Sequence, residues 1–163
     1  MHPYLEHKDG SLYLGDNVAV MKEVVRDESI DLVVTSPPYD NLRTYGGHSW
    51  DFEGVAQQLW RVIKPGGVVV WVVNDETIDG SETGTSFRQA LRFMEIAFRL
   101  TDTMIWTKGG FSAVGSTAVR YGPAFEFMFV LSKGKTAKFN PISDRKNAVP
   151  FRTIDGTIKD KDG

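Results

Sequence analysis

The chain has 163 residues, of which 41% are hydrophobic and 25% are charged. This is the length and composition of one globular domain with a real core, so wholesale disorder and a fibrous repeat are excluded. The sequence contains no cysteine, which excludes disulfides, cysteine-ligated zinc, iron–sulfur clusters and a cysteine nucleophile. No stretch approaches the roughly 20 apolar residues of a membrane helix, and the N-terminal residues lack a signal-peptide pattern. We therefore expect a cytoplasmic protein.

Charge is distributed unevenly along the chain. The net charge is −2, but residues 1–100 carry 9 basic and 15 acidic residues, a balance of −6, whereas residues 101–163 carry 10 and 6, a balance of +4. The basic half could face a polyanion such as DNA. Charge alone favours an ordinary solvated surface, so this interpretation depends on the chemistry of a site.

The first part of the chain alternates between strand and helix patterns. Residues 11–14 predict a short strand that ends at Gly15-Asp16, and Asn17 can cap a helix that runs to about residue 25. Residues 30–35 are mostly apolar and β-branched, as expected for a parallel strand buried on both faces. This strand must end at Ser36-Pro37-Pro38-Tyr39, because proline has no N–H to donate to a neighbouring strand.

The same alternation continues to about residue 131. Asp51 can cap a helix that Pro65-Gly66-Gly67 ends, and Ser86 can cap another that runs to about residue 98. Further strands are predicted at residues 68–73, 101–107 and 125–131. Strands that alternate with helices predict an α/β fold with helices on the faces of a sheet. The sequence from Lys133 onward is polar and basic, so we divide the chain into a main α/β region, residues 1–132, and residues 133–163. The second part is expected to be a disordered tail or the start of a further region.

The segment that carries most chemistry is Ser36-Pro37-Pro38-Tyr39. Ligands of open α/β sheets bind outside the carboxyl ends of the strands, where this segment is predicted to lie. Its prolines remove two backbone donors, so the carbonyls of the turn and the Ser36 hydroxyl remain as acceptors for an amino group. Tyr39 offers a flat aromatic face on which a planar base can stack. A proline-rich turn with a packed tyrosine is the alternative, but this tetrapeptide is rare by chance.

Thr35-Ser36-Pro37-Pro38-Tyr39 after an apolar strand resembles the catalytic motif of the DNA amino-methyltransferases, which use S-adenosyl-L-methionine. Weaker similarities follow the family's order and extend over about residues 11–140. They occur at Leu12-Tyr13-Leu14-Gly15-Asp16 and at residues 59–67, 98–108 and 126–134. The strand-Gly-Asp element precedes the catalytic motif, an order similar to that of the permuted β group.

This resemblance implies a Rossmann-like fold and a site-specific methyl transfer that serves DNA methylation in restriction–modification systems. The methyl group passes from S-adenosyl-L-methionine to the amino group of a base flipped out of double-stranded DNA. Ser36 and the Pro37 carbonyl are expected to accept hydrogen bonds from that amino group, Pro38 to fix the turn, and Tyr39 to stack on the base. Much of the catalysis is positioning, and direct in-line transfer needs no cysteine nucleophile. The origin would be bacterial or phage.

Further site residues are assigned as expectations. The cofactor is expected to contact Thr35, Ser36, Pro37 and Asp16, although Asp16 could equally cap the helix that follows it. Asn74 and Asp75 follow a strand end on the same edge of the sheet, where they could touch a ligand or serve only the turn. The residues expected to contact DNA phosphates are Arg43, Lys108, Arg120 and Lys133.

The base and the class of activity keep alternatives. Serine at position 36 is the family form associated mostly with the N4 amino group of cytosine, whereas aspartate is associated mostly with N6 of adenine. We therefore predict cytosine-N4 transfer, with adenine-N6 transfer as the alternative. A non-catalytic nucleic-acid- or partner-binding fragment is an alternative from another class. Methyl transfer to a protein amide is a fourth, although that variant usually carries asparagine at this position.

The family's glycine-rich cofactor turn, an aromatic-x-Gly-x-Gly segment, is not found in the sequence. In the permuted β group this turn follows the region that reads the DNA sequence. The chain is thus expected to be the N-terminal catalytic portion of such an enzyme, with a C-terminal half or a second chain supplying the turn. This predicts an exposed apolar sheet edge where further strands would pair.

Overall fold

The computed structural model describes residues 1–38, 50–109 and 121–141. The chain begins with an exposed hairpin, in which β1 (Leu5–His7) pairs antiparallel with β2 (Gly10–Leu12). Helix α1 (Asn17–Val24) follows. The strand predicted at residues 11–14 is thus wrong in its bounds and its place. It pairs with residues just before it, because the turn between β1 and β2 is short enough to close a local hairpin.

The main sheet has four strands in the order β3-β4-β8-β7. They are β3 (Ile30–Thr35), β4 (Ile63–Val73), β7 (Arg99–Thr107) and β8 (Phe125–Ser132). Strands β3 and β4 are parallel, because helix α2 (Phe52–Val62) carries the chain back between them. Strand β8 is antiparallel to both of its neighbours. The predicted α/β class is confirmed.

Two predicted boundaries differ from the structure. Helix α2 ends at Val62, and Pro65-Gly66-Gly67 lie inside β4, where the pairing with β3 shifts between Ile30 and Leu32. The tight turn that the glycines signal is a bulge within the strand rather than a helix stop. The predicted loop after β4 contains a short hairpin of two-residue strands, β5 (Thr77–Ile78) and β6 (Ser81–Glu82).

Helix α3 (Thr85–Ile96) starts differently from the prediction. Gly84 occupies its cap position with φ of 67°, in the left-handed region that favours glycine. Ser86 lies inside the first turn and is fully buried rather than capping the helix. The prediction was wrong because the cap comes from a residue distant in sequence, Asp75, as described below.

All three helices cover one face of the sheet. Alternate residues of β4 point to this face, and Val69, Trp71 and Val73 are completely buried there. Helix α2 contributes its apolar stripe to this core, and α3 contributes Ala90 and Phe93. Val18 of α1 packs against the edge of the same cluster. The hydrophobic stripes of the helices thus meet the odd-numbered face of β4.

The opposite face of the sheet is largely uncovered. The side chains of Leu32 and Val34 on β3 are 57% and 63% exposed, and Met104 on β7 is 49% exposed. Within residues 1–38, 50–109 and 121–141, no helix packs on this face, and β3 has a strand neighbour on one side alone. The expectation that β3 is buried on both faces is therefore wrong for this structure, since no second layer lies against it among these residues.

The chain after β8 remains attached to the sheet. The backbone of Lys133 exchanges hydrogen bonds with Gly66 and Gly67 at 2.6 and 3.1 Å, and the N–H of Ala137 donates to the carbonyl of Gly66 at 3.1 Å. Gly66 has φ of 83°, and a Cβ there would lie 2.7 Å from that of Ala137. This close approach explains the glycine. The predicted boundary at residue 132 stays a prediction.

An ion pair joins the two long helices on the surface. Arg92 of α3 donates to Glu53 of α2 through two nitrogens, at 2.6 and 2.9 Å. Hydrogen bonds from Arg92, and then from Gln57, lower the pKa of Glu53 to about 2. The hydrogen bond to Glu53 correspondingly raises the pKa of Arg92 above its usual value. The pair lies on the solvent-exposed surface, where ion pairs contribute little to stability.

Candidate active site

The segment Ser36-Pro37-Pro38 leaves the sheet directly from the end of β3. Thr35 is the last paired residue of the strand, and its partner in β4 is Trp71. Ser36 is exposed, Pro37 is buried and Pro38 is half-buried. The burial of Pro37 anchors the turn against the fold, while Ser36 stays on the surface, where its side chain could meet a ligand. The sequence therefore predicted correctly that these acceptors stand at a carboxyl end of a parallel strand.

Four strand ends meet at this edge of the sheet, which we call the catalytic edge. The ends of β3 and β4 carry Ser36 and Asn74, and the antiparallel β8 begins here with Phe125. The side-chain amide of Asn74 donates to the Phe125 carbonyl at 3.1 Å. Thr107 of β7 pairs with Phe125, so Lys108 also lies on this edge. With strands about 4.8 Å apart and a rise of about 3.3 Å per residue, Lys108 lies three strands and four residue positions from Ser36, a backbone separation of roughly 20 Å.

Asp75 ties the catalytic edge to α3. Its carboxylate accepts hydrogen bonds from the backbone N–H and the hydroxyl of Ser86 at 2.8 and 2.6 Å, and from the hydroxyl of Thr83 at 3.3 Å. It therefore supplies the cap that Gly84 lacks a side chain to provide. Both side chains make the hydrogen bonds that the turn role requires, and contact of Asn74 or Asp75 with a ligand stays a prediction.

Trp71 forms a rigid support beneath the end of β3. Its indole N–H donates to the side-chain oxygen of Gln89 at 2.9 Å, and both residues are buried. Phe52 and Phe93 meet its ring edge-to-face, with centroids 5.9 and 5.0 Å away. Trp50 lies against the remaining side at 6.3 Å. This arrangement was missed from the sequence. Gln89, a polar residue next to Ala90 and one turn before Phe93 on the buried face of α3, was the available signal.

Trp50 brings the chain back to the site. The residues between Pro38 and Trp50 lie outside the described parts; before that segment Thr35 pairs with Trp71, and after it the ring of Trp50 packs against Trp71. The indole nitrogen of Trp50 is buried and has no hydrogen-bond partner within residues 1–38, 50–109 and 121–141. Asp51 then caps α2 as predicted, accepting from the N–H of Gly54 at 2.8 Å.

The predicted cofactor residues are not all brought together. Thr35, Ser36 and Pro37 are contiguous at the catalytic edge, whereas Asp16 lies at the start of α1, outside the main sheet. Its carboxylate accepts a hydrogen bond from the N–H of Ala19 at 2.9 Å, so Asp16 rather than Asn17 is the helix cap. Contact of Asp16 with a cofactor stays a prediction.

The residues predicted to contact DNA have different environments. Lys108 lies on the catalytic edge and forms an ion pair with Glu126, whose side chain is buried. The ammonium group of Lys133 donates to Glu28 at 3.0 Å and to the carbonyl of Trp60 at 2.9 Å, and the side chain is only 13% exposed. These contacts hold Lys133 inside the fold. Tyr39, Arg43 and Arg120 lie outside the described residues.

None of the helices in the described part of the chain is long and apolar enough to cross a membrane. Among residues 1–38, 50–109 and 121–141, no group of histidine and carboxylate side chains is placed to hold a metal ion.

Comparison with protein-family models matches residues 30–160 to the DNA methylase family of N6 and N4 methyltransferases. The orphan methyltransferase M.BamHII of Bacillus amyloliquefaciens is 58% identical over 127 residues, which cover 78% of this chain and 47% of that relative. The type II methyltransferase M.PvuII of Proteus hauseri is 30% identical over 115 residues, covering 64% of this chain and 34% of that relative.

Solved structures show the same fold. The cytosine-N4-specific PvuII DNA methyltransferase superposes with a TM-score of 0.66 at 24% identity, covering 78% of this chain and 50% of that one. Protein TTHA0409 of Thermus thermophilus, in complex with S-adenosyl-L-methionine, gives a TM-score of 0.58 at 25% identity, covering 80% and 57%. The Rossmann-like fold predicted from the sequence is confirmed. The chain spans about half the length of these relatives, or less.

Proposed function

The chain belongs to the DNA methylase family, and from this premise we propose that it forms the catalytic part of a site-specific DNA methyltransferase that acts on N4 of cytosine. The observation that carries the proposal is the placement of Ser36: an exposed hydroxyl, fixed by two prolines, at the end of a parallel strand. The PvuII methyltransferase, whose name states cytosine-N4 specificity, supports the choice of base. Transfer to N6 of adenine is the alternative within the same chemistry.

The residues of this site would orient an amino group. We propose that the Ser36 hydroxyl and the Pro37 carbonyl each accept a hydrogen bond from the amino group of a flipped-out base, and that Tyr39 stacks on its ring. S-adenosyl-L-methionine, when bound, supplies a methyl group on a positively charged sulfur. The amino nitrogen forms the new bond to the methyl carbon, the carbon–sulfur bond breaks, and the nitrogen releases a proton to solvent. The protein contributes mainly orientation.

The described residues fit only one side of a cofactor site. Thr35, Ser36 and Pro37 provide hydroxyl and carbonyl groups next to the reacting atoms. The sequence contains no Gly-x-Gly pair, so the turn on which Rossmann-like folds bind a cofactor has no counterpart among its glycines. We propose that residues 35–37 contact the methyl-donating end of the cofactor and that another polypeptide segment holds the remainder.

The open face and edge of the sheet support such a second segment. Parallel sheets of α/β proteins are covered by helices on both faces, whereas Leu32 and Val34 are exposed here and β3 has a free edge among the described residues. This chain does not span about half of the length of its relatives. We propose that a segment equivalent to that half pairs with β3 and covers the open face. This partner would be a C-terminal half or a second chain. Residues 133–163 would begin the region that reads the DNA sequence.

Double-stranded DNA would meet the catalytic edge. We propose that Lys108 contacts a phosphate there, because it lies on the same edge of the sheet as Ser36, where the backbone beside a flipped base would pass. Arg43 and Arg120 remain proposed contacts from their sequence alone. The contacts of Lys133 with Glu28 and Trp60 favour a packing role for that residue, with DNA contact as the lesser proposal.

A second candidate function is supported by the missing glycine turn. A protein with the edge geometry but no cofactor site would bind nucleic acid or a partner without catalysis. The two candidates make different predictions for cofactor binding. A chain with the proposed activity should transfer methyl groups once the second segment is present, whereas a binding protein should not do so under any condition.

The deciding experiment is mass spectrometry of nucleosides from duplex DNA incubated with S-adenosyl-L-methionine and the chain. It is run alone and with the part of M.BamHII that this chain does not match. We expect 4-methylcytosine in the second reaction and its loss in Ser36→Ala, while the matched control Ser81→Ala, on the exposed β5–β6 hairpin, keeps it. Detection of 6-methyladenine instead would reassign the base. No modified base in either reaction would favour the binding protein.

A further inference from the structure

The indole N–H of Trp50 is a hydrogen-bond donor for which no described residue provides an acceptor. The nitrogen is buried, and within the described residues no acceptor lies within hydrogen-bond distance of it. Buried donors are nearly always paired in folded proteins, because an unpaired one loses its bond to water without replacement. The unpaired state of this nitrogen therefore points to an acceptor that arrives with a ligand.

The location of Trp50 indicates which ligand. Its ring lies 6.3 Å from Trp71, and Trp71 is the backbone partner of Thr35, the residue before Ser36. Trp50 and the residue before Ser36 thus both contact Trp71, one through its ring and the other through the backbone pairing of the strands. An amino base presents the pair complementary to the Trp50 donor and the Ser36 acceptor, because the amino group of cytosine or adenine is bonded to a carbon next to a ring nitrogen that accepts hydrogen bonds.

Resting on the proposed function, we propose that Trp50 is a base-contacting residue whose indole N–H donates to the ring nitrogen next to the amino group of the target base. Ser36 accepts from the amino group in the same complex. Trp71, fixed by Gln89 at 2.9 Å, is the positioning residue that holds Trp50 and the end of β3 at a constant separation. Thymine has the reverse pattern. Its ring N–H would face the indole N–H of Trp50, and its carbonyl would face the acceptor at Ser36, so neither hydrogen bond would form.

The test is an NMR titration of the ¹⁵N-labelled full chain with deoxycytidine monophosphate and, separately, with thymidine monophosphate. The chain has four tryptophans, so four indole resonances are followed, and that of Trp50 is assigned by its absence in Trp50→Phe. We expect deoxycytidine monophosphate to move the Trp50 indole proton downfield, as a new hydrogen bond requires. The resonance of Trp60, which packs on Phe98 and Lys133 away from the catalytic edge, should not move.

Trp50→Phe keeps an aromatic ring and removes the donor. We expect it to weaken deoxycytidine monophosphate binding about tenfold, as the loss of one hydrogen bond predicts, while Trp60→Phe leaves the affinity unchanged. If Trp50→Phe fails to fold, the wild-type titration still tests the proposal. The indole resonances of Trp60, Trp71 and Trp106 are then each assigned with a variant of that residue, and the remaining resonance belongs to Trp50.

Other outcomes overturn the inference in distinguishable ways. If deoxycytidine monophosphate moves the backbone resonances of Thr35 and Ser36 but not the Trp50 indole, the base site stands and the role of Trp50 is wrong. A Trp50 resonance that moves with S-adenosylhomocysteine and not with the nucleotide assigns the donor to the cofactor and contradicts the proposal. If the nucleotide perturbs no resonance at the catalytic edge, the base site and the role of Trp50 both fail.

Discussion

Thr35 and Trp71 are paired at the last register position of the parallel strands β3 and β4. The turn at Ser36 therefore begins one residue beyond the partner of a tryptophan that is completely buried and hydrogen-bonded to Gln89. Helix α3, which provides Gln89, is thus connected to the end of β3 through Trp71. Removing the Gln89 side-chain oxygen should accordingly leave the indole N–H of Trp71 without its acceptor.

Gln89→Met should lower the free energy of unfolding by about 1–3 kcal/mol, because it leaves the buried indole N–H of Trp71 without an acceptor while nearly preserving volume. Urea denaturation followed by tryptophan fluorescence measures the change. The control Gln57→Met replaces a glutamine on exposed α2 surface and should change stability by less than about 0.5 kcal/mol. Equal stability of the two variants would contradict the proposed support.

Asp75→Asn should lower the free energy of unfolding by about 1–2 kcal/mol, because an amide can no longer accept all the hydrogen bonds from Ser86 and Thr83 that cap α3. The matched control is Asp79→Asn. Asp79 has φ of 50° in the β5–β6 turn, a conformation that asparagine adopts readily, so the control should be close to neutral. Thermal unfolding followed by circular dichroism compares the two, and an unchanged midpoint for Asp75→Asn would remove its capping role.

The free energy of unfolding should decrease as the pH is lowered, in part because Glu53 becomes protonated. Its pKa in the folded protein is about 2, below the ordinary value of 4.5, so the unfolded chain binds this proton more readily. The contribution is fully present above pH 4.5 and is lost as the pH falls towards 2. Urea denaturation at about pH 7, 4.5 and 2.5 should show a steeper loss for the wild type than for Glu53→Gln, which has no carboxylate to titrate.

The same comparison at high salt provides the control for that prediction. Salt screens exposed charges, so the difference between wild type and Glu53→Gln should shrink as ionic strength rises. Parallel pH profiles for the two proteins at low salt would show that the Glu53–Arg92 pair does not stabilise the fold.

Val34→Lys should change the stability of the isolated chain by less than about 0.5 kcal/mol, because the side chain is 63% exposed on the open face. Its neighbour Val33 points to the covered face and packs against the core, so Val33→Lys should cost at least about 2 kcal/mol. Sedimentation of Val34→Lys with the unmatched part of M.BamHII should show no complex, whereas the wild type should bind. A complex that tolerates Val34→Lys would move the docking surface elsewhere.

Features that depend on neighbouring residues were predictable from the sequence. Alternating and β-branched patterns located β3, β7 and β8 to within two residues, and the prolines after Thr35 required the strand to stop where it does. Asp51 as the cap of α2 was likewise predictable, since its partner Gly54 is three residues away. The motif at residues 35–39 also indicated the family correctly.

The contacts between distant side chains, and the exposed faces of these elements, could be read only from the tertiary structure. Trp71 and Gln89 are 18 positions apart, and Asp75 and Ser86 are 11 apart, so these groups meet only after α3 packs on the sheet. The exposure of β3 likewise depends on which elements lie beside it, not on its own apolar residues. Local patterns encode backbone conformation, whereas a hydrogen bond between distant side chains, or a bare sheet face, depends on how the completed elements pack together.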